Sequence, residues 1–110
     1  MLTETTNGTR VAVCAASEVV EGEIKGAVLP DGSRIALYRL EANVFATSDT
    51  CTHGEASLSE EGLVCGKIVE CTWHYGSFDF TTGKVEASPC TLPLKTYPVE
   101  VRDGTVYVEY

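Results

Sequence analysis

Short apolar and β-branched runs alternate with turn-forming clusters along this chain, and no window of ten or more residues carries a helical period. Residues 10–15 predict a first short strand, and residues 17–22 a turn with room for one loose helical turn. Residues 23–29 and 33–40 flank Pro30-Asp31-Gly32, where proline and glycine hold their usual turn positions. Within the second run, Ile35, Leu37 and Arg39 alternate with Ala36, Tyr38 and Leu40, so both faces of this strand are expected to be partly covered. A turn at Glu41-Ala42-Asn43 leads into a strand over 44–48. Residues 63–65 and 68–71 bracket Gly66-Lys67 as a tight hairpin, and a strand over 78–80 precedes a turn over 81–84. A final hairpin pairs 96–101 with 105–109 across Arg102-Asp103-Gly104. The fold class is all-β, a small sandwich or barrel.

The length of 110 residues is that of one domain, and with no repeat, linker or low-complexity tract a single domain is expected over 1–110. Hydrophobic residues make up 44% and charged residues 22%, a globular and not a disordered balance. A formal charge of −8 repels nucleic acid and anionic membranes, and it suits either plain solubility or partners with basic patches. Residues 1–9 are polar, with Glu4 and no apolar signal region, and no stretch is long and apolar enough to span a bilayer. The expected location is the cytoplasm. There the five cysteines, at 14, 51, 65, 71 and 90, read as metal ligands or buried thiols and not as a disulfide framework.

Candidate chemistry is concentrated in Cys51-Thr-His53-Gly54 and Cys71-Thr-Trp-His74-Tyr-Gly76, with 17 residues between His53 and Cys71. Each segment follows a predicted strand and supplies one thiolate and one imidazole. This donor set suits zinc or an iron–sulfur centre. The usual structural zinc site, however, puts two cysteines on one knuckle and two histidines on a helix. Here each segment is mixed. In extended backbone, residues i and i+2 point the same way, so Cys51 and His53 can approach two neighbouring irons side by side. A binuclear [2Fe–2S] centre with two cysteines on one iron and two histidines on the other meets that demand, which is the Rieske arrangement. Neutral imidazoles in place of two thiolates leave the centre less negative and easier to reduce. A zinc knuckle remains the competing reading of the same four residues. The chain has two histidines, both in these segments, so none is spare for a nucleophilic pair, a proton relay or a catalytic mononuclear iron.

On these motifs, together with Phe78-Asp79, Thr82-Gly83-Lys84 and the segment from Leu94 to Val99, the chain resembles the Rieske-type ferredoxins of bacterial aromatic-ring-hydroxylating dioxygenase systems over nearly its whole length. The resemblance implies the Rieske fold, antiparallel sheets with two cluster-binding loops and a covering proline loop at one end. Ser88 to Pro93 fits the place of that third loop. It implies that Cys51 and Cys71 bind the inner iron, and His53 and His74 the outer iron at the protein tip. It also implies a soluble, monomeric one-electron carrier, not an enzyme, between an NAD(P)H-dependent flavin reductase and a terminal oxygenase with its own Rieske centre and mononuclear iron. A Rieske small subunit of another oxidoreductase, such as nitrite reductase, is the alternative within this resemblance, and a zinc-stabilised interaction module the alternative outside it. High-potential relatives carry an extra cysteine in each cluster loop, and a Ser and a Tyr hydroxyl beside the cluster. The matching positions here are Ala56, Trp73, Gly76 and Phe78. Fewer donors to sulfur lower the potential, so the low end of the Rieske range is expected, on the order of −150 mV. Ser77, next door, is a possible substitute donor.

Glu55, Glu60 and Glu61 are candidates for steering a partner, against the plain reading of solvated acids. Trp73 reads as a partly exposed apolar cap or as a packing residue. Pro89 and Pro93 stiffen the covering loop. Cys14 and Cys65 are expected to be small buried hydrophobes, and Cys90 to lie near the cluster without binding it. Tyr97, Tyr107 and Tyr110 read as sheet residues.

Overall fold

The structure, a computed structural model, describes residues 10–50, 57–71, 76–87 and 93–110. Its elements in chain order are β1 (Arg10–Ala15), a single 3₁₀ turn (Ala16–Glu18), β2 (Lys25–Val28), β3 (Arg34–Leu40) and β4 (Asn43–Ser48). A one-turn helix α1 (Leu58–Glu61) then leads into β5 (Gly62–Cys65), β6 (Ile68–Cys71), β7 (Ser77–Asp79) and β8 (Val85–Ala87). The chain closes with β9 (Thr96–Tyr97), β10 (Val99–Arg102) and β11 (Thr105–Glu109). Three antiparallel sheets result, ordered β1-β11-β10, β2-β3-β4-β9 and β5-β6-β7-β8. The expected all-β class is the observed one. Among the described residues no helix is long and apolar enough to cross a membrane.

Strand β3 lies at the centre because its two faces serve two different cores. Ile35 and Leu37 pack with Val19, Leu29, Val106 and Val108. Ala36 and Tyr38 pack instead with Leu58, Val69, Cys71, Phe78, Phe80 and Leu94. All four of these residues are fully buried, a more complete cover of both faces than the partial one expected from their alternation. The Tyr38 ring stacks on Phe80 with centroids 4.4 Å apart, and its hydroxyl shares a 2.9 Å hydrogen bond with Thr47 Oγ1. Each such buried aromatic contributes about 1.5–3 kcal/mol of apolar burial. Burial also pushes the Tyr38 phenol well above its ordinary range. The second core therefore joins the β2-β3-β4-β9 sheet to the β5-β6-β7-β8 sheet.

Three elements differ from the sequence reading. The expected strand over 96–101 is divided: β9 pairs with β4, whereas β10 pairs with β11 in another sheet. The break falls at Pro98, which has no N–H for a ladder, while its carbonyl accepts a 3.0 Å hydrogen bond from Glu109 N–H. Helix α1 is too short to show a period. Strand β8 is three residues long, pairs with β7 through a register shift, and follows the Gly83 turn closely.

The turn after β7 is held by Asp79, which is 5% exposed. Its Oδ1 accepts hydrogen bonds from Thr81 N–H (2.8 Å) and Thr81 Oγ1 (2.5 Å), and its Oδ2 faces Lys67 Nζ at 3.3 Å. Burial alone would raise this carboxyl, but the Thr81 donors and the Lys67 charge outweigh it and hold Asp79 below the usual carboxylate range. A folded value below the unfolded one stabilises the fold at neutral pH. That contribution begins to fade near the unfolded value of about 4 and is lost as pH falls through the lower folded value. In urea unfolding, Asp79→Asn is expected to cost about 1–2 kcal/mol at neutral pH. It is also expected to flatten the acid limb of stability, so an unchanged acid limb would remove Asp79 from this account.

Candidate metal centre

Of the four candidate ligands, Cys71 lies among the described residues, and Cys51, His53 and His74 lie outside them, as do Glu55, Ala56, Trp73, Pro89 and Cys90. Cys71 is the last residue of β6. Alternation along β6 puts Val69 and Cys71 on the buried face and leaves Ile68 and Glu70 on the outer one. Cys71 is 1% exposed and packs in the core that contains Leu58, Val69 and Phe78. Such surroundings disfavour a bare thiolate and favour one whose charge a bound metal neutralises. The donor chemistry therefore fits a metal or cluster on one side of this core. Among the described residues themselves, no group of three or more His, Cys, Asp or Glu forms a metal site.

Strand register places Cys71, the described ligand candidate, at one end of the β5-β6-β7-β8 sheet. Gly62, where β5 begins, is paired with Cys71, where β6 ends. Ser77, where β7 begins, is paired with Glu70 on one side and with Ala87, where β8 ends, on the other. Cys71, Ser77 and Ala87 therefore lie at this end, and α1 leads into β5 at Gly62 there. The second motif is closed at its neck by Cys71 N–H donating to the Gly76 carbonyl at 2.9 Å. The first is closed by a bridge between Thr50 and Ser57, with Leu58 N–H donating to the Asp49 carbonyl at 2.7 Å. After the third segment, Leu94 is buried, and its N–H donates to the Gly83 carbonyl at 2.8 Å.

The neighbours of Cys71 bear on its electronics. Phe78 is fully buried and sits opposite Val69, so it shares the inner face with Cys71 and brings no hydroxyl. Ser77 sits opposite Glu70 and lies on the other face of the sheet. It is thus directed away from the face that carries Cys71, and the expectation of a substitute donor at Ser77 loses its support.

The remaining cysteines divide. Cys14 is half-buried on β1, where burial and the nearby Glu18 push its thiol up. Cys65 is exposed, contrary to the expected buried thiol. It lies on the edge strand β5 opposite Ile68, so the alternation that turns Val64 inward turns Cys65 outward. Of the acids singled out for steering, Glu60 and Glu61 stand in α1, and Glu60 meets Arg34 Nη2 at 3.5 Å.

Asp49, Ser57 and Ser59 were not legible as site residues. Asp49 is 2% exposed at the end of β4, two residues before Cys51. Its carboxylate accepts hydrogen bonds from Ser57 Oγ at 2.5 Å and from Ser59 N–H at 2.8 Å. The one available signal was an acid placed directly between an apolar strand and a ligand motif.

A family model described as the Rieske [2Fe–2S] domain matches residues 9–98. The ferredoxin component of the p-cumate 2,3-dioxygenase system of Pseudomonas putida is 48% identical over 99 residues, covering 90% of this chain and 84% of that protein. Among solved structures, the Sphingomonas yanoikuyae B1 ferredoxin superposes with a TM-score of 0.87 at 38% identity, covering 93% of this chain and 99% of the other. A chain from a complex of reduced oxygenase and oxidised ferredoxin in carbazole 1,9a-dioxygenase superposes with a TM-score of 0.85 at 45% identity, covering 93% and 94%.

Proposed function

The chain belongs to the Rieske [2Fe–2S] domain family, and we propose that it is the ferredoxin component of an aromatic-ring dioxygenase system, with its cluster held by Cys51, His53, Cys71 and His74. The observation that supports the residue assignment is the register that sets Cys71 at the end of the sheet where α1, which follows the Thr50–Ser57 bridge, enters β5. Residues 1–110 then form one domain, a soluble cytoplasmic monomer.

The cluster, when bound, supplies reversible one-electron exchange. The protein's own residues determine where that exchange is possible. Cys71 holds its thiolate against the apolar wall of Leu58, Val69 and Phe78, which excludes water from the inner side. His53 and His74 would supply the two neutral imidazole ligands, and Trp73, next to His74 in the sequence, would add an apolar side chain. The electron enters from a flavin reductase that oxidises NADH or NADPH and leaves to a terminal oxygenase, where the aromatic substrate is bound and oxidised. Glu60 and Glu61, on α1 next to the first motif, steer partners that present basic patches. Gly76 and Phe78 offer no hydroxyl and Ser77 faces away, which supports a potential at the low end of the Rieske range, on the order of −150 mV.

Reconstitution tests the assignment. With a flavin reductase and the terminal oxygenase of such a system, oxygen uptake dependent on aromatic substrate is expected only when this chain is added. Uptake at the same rate without it would contradict the carrier role.

A further inference from the structure

Asp49 is a buried carboxylate with no place in the electron path, yet its side chain accepts hydrogen bonds from the far side of the first ligand motif. From the strand side, Asp49 N–H donates to the Arg34 carbonyl at 3.0 Å, which fixes its backbone to β3. From the exit side, Ser57 Oγ (2.5 Å) and Ser59 N–H (2.8 Å) donate to its carboxylate, and Leu58 N–H (2.7 Å) donates to its carbonyl. The motif therefore begins and ends on one residue. Leu58, held between the two serines, is fully buried in the same core as Cys71. The exit of the first motif is in this way locked to the wall that carries a ligand of the second. Arg34 lies 3.6 Å from Asp49 Oδ2 with its guanidinium largely exposed, so it adds little to the lock.

We infer that Asp49, through Ser57, Ser59 and Leu58, is a positioning residue that sets where Cys51 and His53 stand relative to Cys71 and His74. This rests on the ligand assignment proposed above. Groups that orient metal ligands act on affinity and electronic structure without touching the metal. The effect differs from plain stability, because the bonds from Ser57, Leu58 and Ser59 join the motif's two ends to each other.

The test uses the holoprotein and variants that isolate the lock. Ser57→Ala removes one donor and leaves the charge at the site unchanged, Ser57→Thr restores the hydroxyl, and Asp49→Ala removes the acceptor. Gly104→Ala, in the distant β10–β11 turn, serves as a destabilised control. Two properties are read: the rate at which the visible absorption bleaches in the presence of an iron chelator, and the electron paramagnetic resonance line shape of the reduced protein. Ser57→Ala is expected to lose iron about 10-fold faster than wild type, with a broadened line shape. Asp49→Ala should exceed that effect, and Ser57→Thr should recover most of it. Gly104→Ala should keep the wild-type line shape. If Asp49→Ala does not fold, Ser57→Ala decides alone. A coloured Ser57→Ala with wild-type bleaching and line shape would overturn the positioning role and leave the ligand assignment intact. Equal effects in Gly104→Ala would also overturn it, since stability alone would then suffice. A colourless wild-type protein would overturn the ligand assignment and the lock together.

Discussion

Cys71→Ala is expected to purify without the visible absorption of the wild-type protein, with its iron content falling from about two atoms per chain to a small fraction of that. The substitution removes one of two thiolates from a buried position, where neither water nor a surface side chain can take its place. Cys71 is 1% exposed within an apolar core, so the vacated site offers no alternative ligand from that side. Cys14→Ala and Cys65→Ala provide the contrast. The first is half-buried on β1 and the second exposed on the outer face of β5, and both should retain full colour. Loss of colour in Cys65→Ala, or its retention in Cys71→Ala, would break the assignment of ligands. Because metal binding and folding are coupled, Cys71→Ala should also melt at a lower temperature than the wild-type holoprotein.

Gly83→Ala is expected to be strongly destabilising although it lies outside the candidate ligands. Gly83 has φ of +84°, and a Cβ there would stand 2.3 Å from the Leu94 carbonyl oxygen. The positive φ alone costs an alanine about 1 kcal/mol. The close approach cannot be relieved by a side-chain rotation, because the obstacle is backbone. That backbone is fixed by Leu94 N–H donating to the Gly83 carbonyl and by Gly83 N–H donating to the Asp79 carbonyl. Losing one of these bonds adds about 1–3 kcal/mol. The total, about 3 kcal/mol, should lower the melting temperature by roughly 10–20 °C. Gly104→Ala has a similar φ of +78° with open space around it and should cost only the conformational share. Equal melting temperatures for the two variants would show that the contact with Leu94 has no energetic weight.

The contrast between these glycines shows what a sequence discloses. Asp103 and Gly104 both take positive φ, as a two-residue hairpin turn requires, and their identity announced the turn. The need for glycine at position 83 depends on Leu94, which no local pattern connects to it. The two candidate ligand motifs stand out in the sequence because their chemistry is compressed into a few adjacent residues. The alternation of β3 was legible because Ile35, Leu37, Ala36 and Tyr38 are all apolar. Which core each face serves was not, since strand order is set by pairing between distant segments. The division at Pro98 follows the same rule: proline signalled a break, but only sheet pairing shows that the strand changes partners there. Asp49 escaped notice because its partners, Ser57 and Ser59, are polar residues of ordinary kind, made significant by the bridge that sets them opposite the end of β4. Cys65 was misplaced because an edge strand has one face turned to solvent, which its composition does not declare.

A low-potential Rieske cluster on Cys51, His53, Cys71 and His74 would exchange one electron, which titrating the visible absorption of the anaerobically purified protein against electrode potential reads out. A reversible one-electron bleaching is expected at a midpoint on the order of −150 mV. A midpoint well above zero would contradict the reading of Gly76, Ser77 and Phe78 as residues that give the cluster no hydroxyl. A colourless protein carrying zinc would contradict the cluster itself.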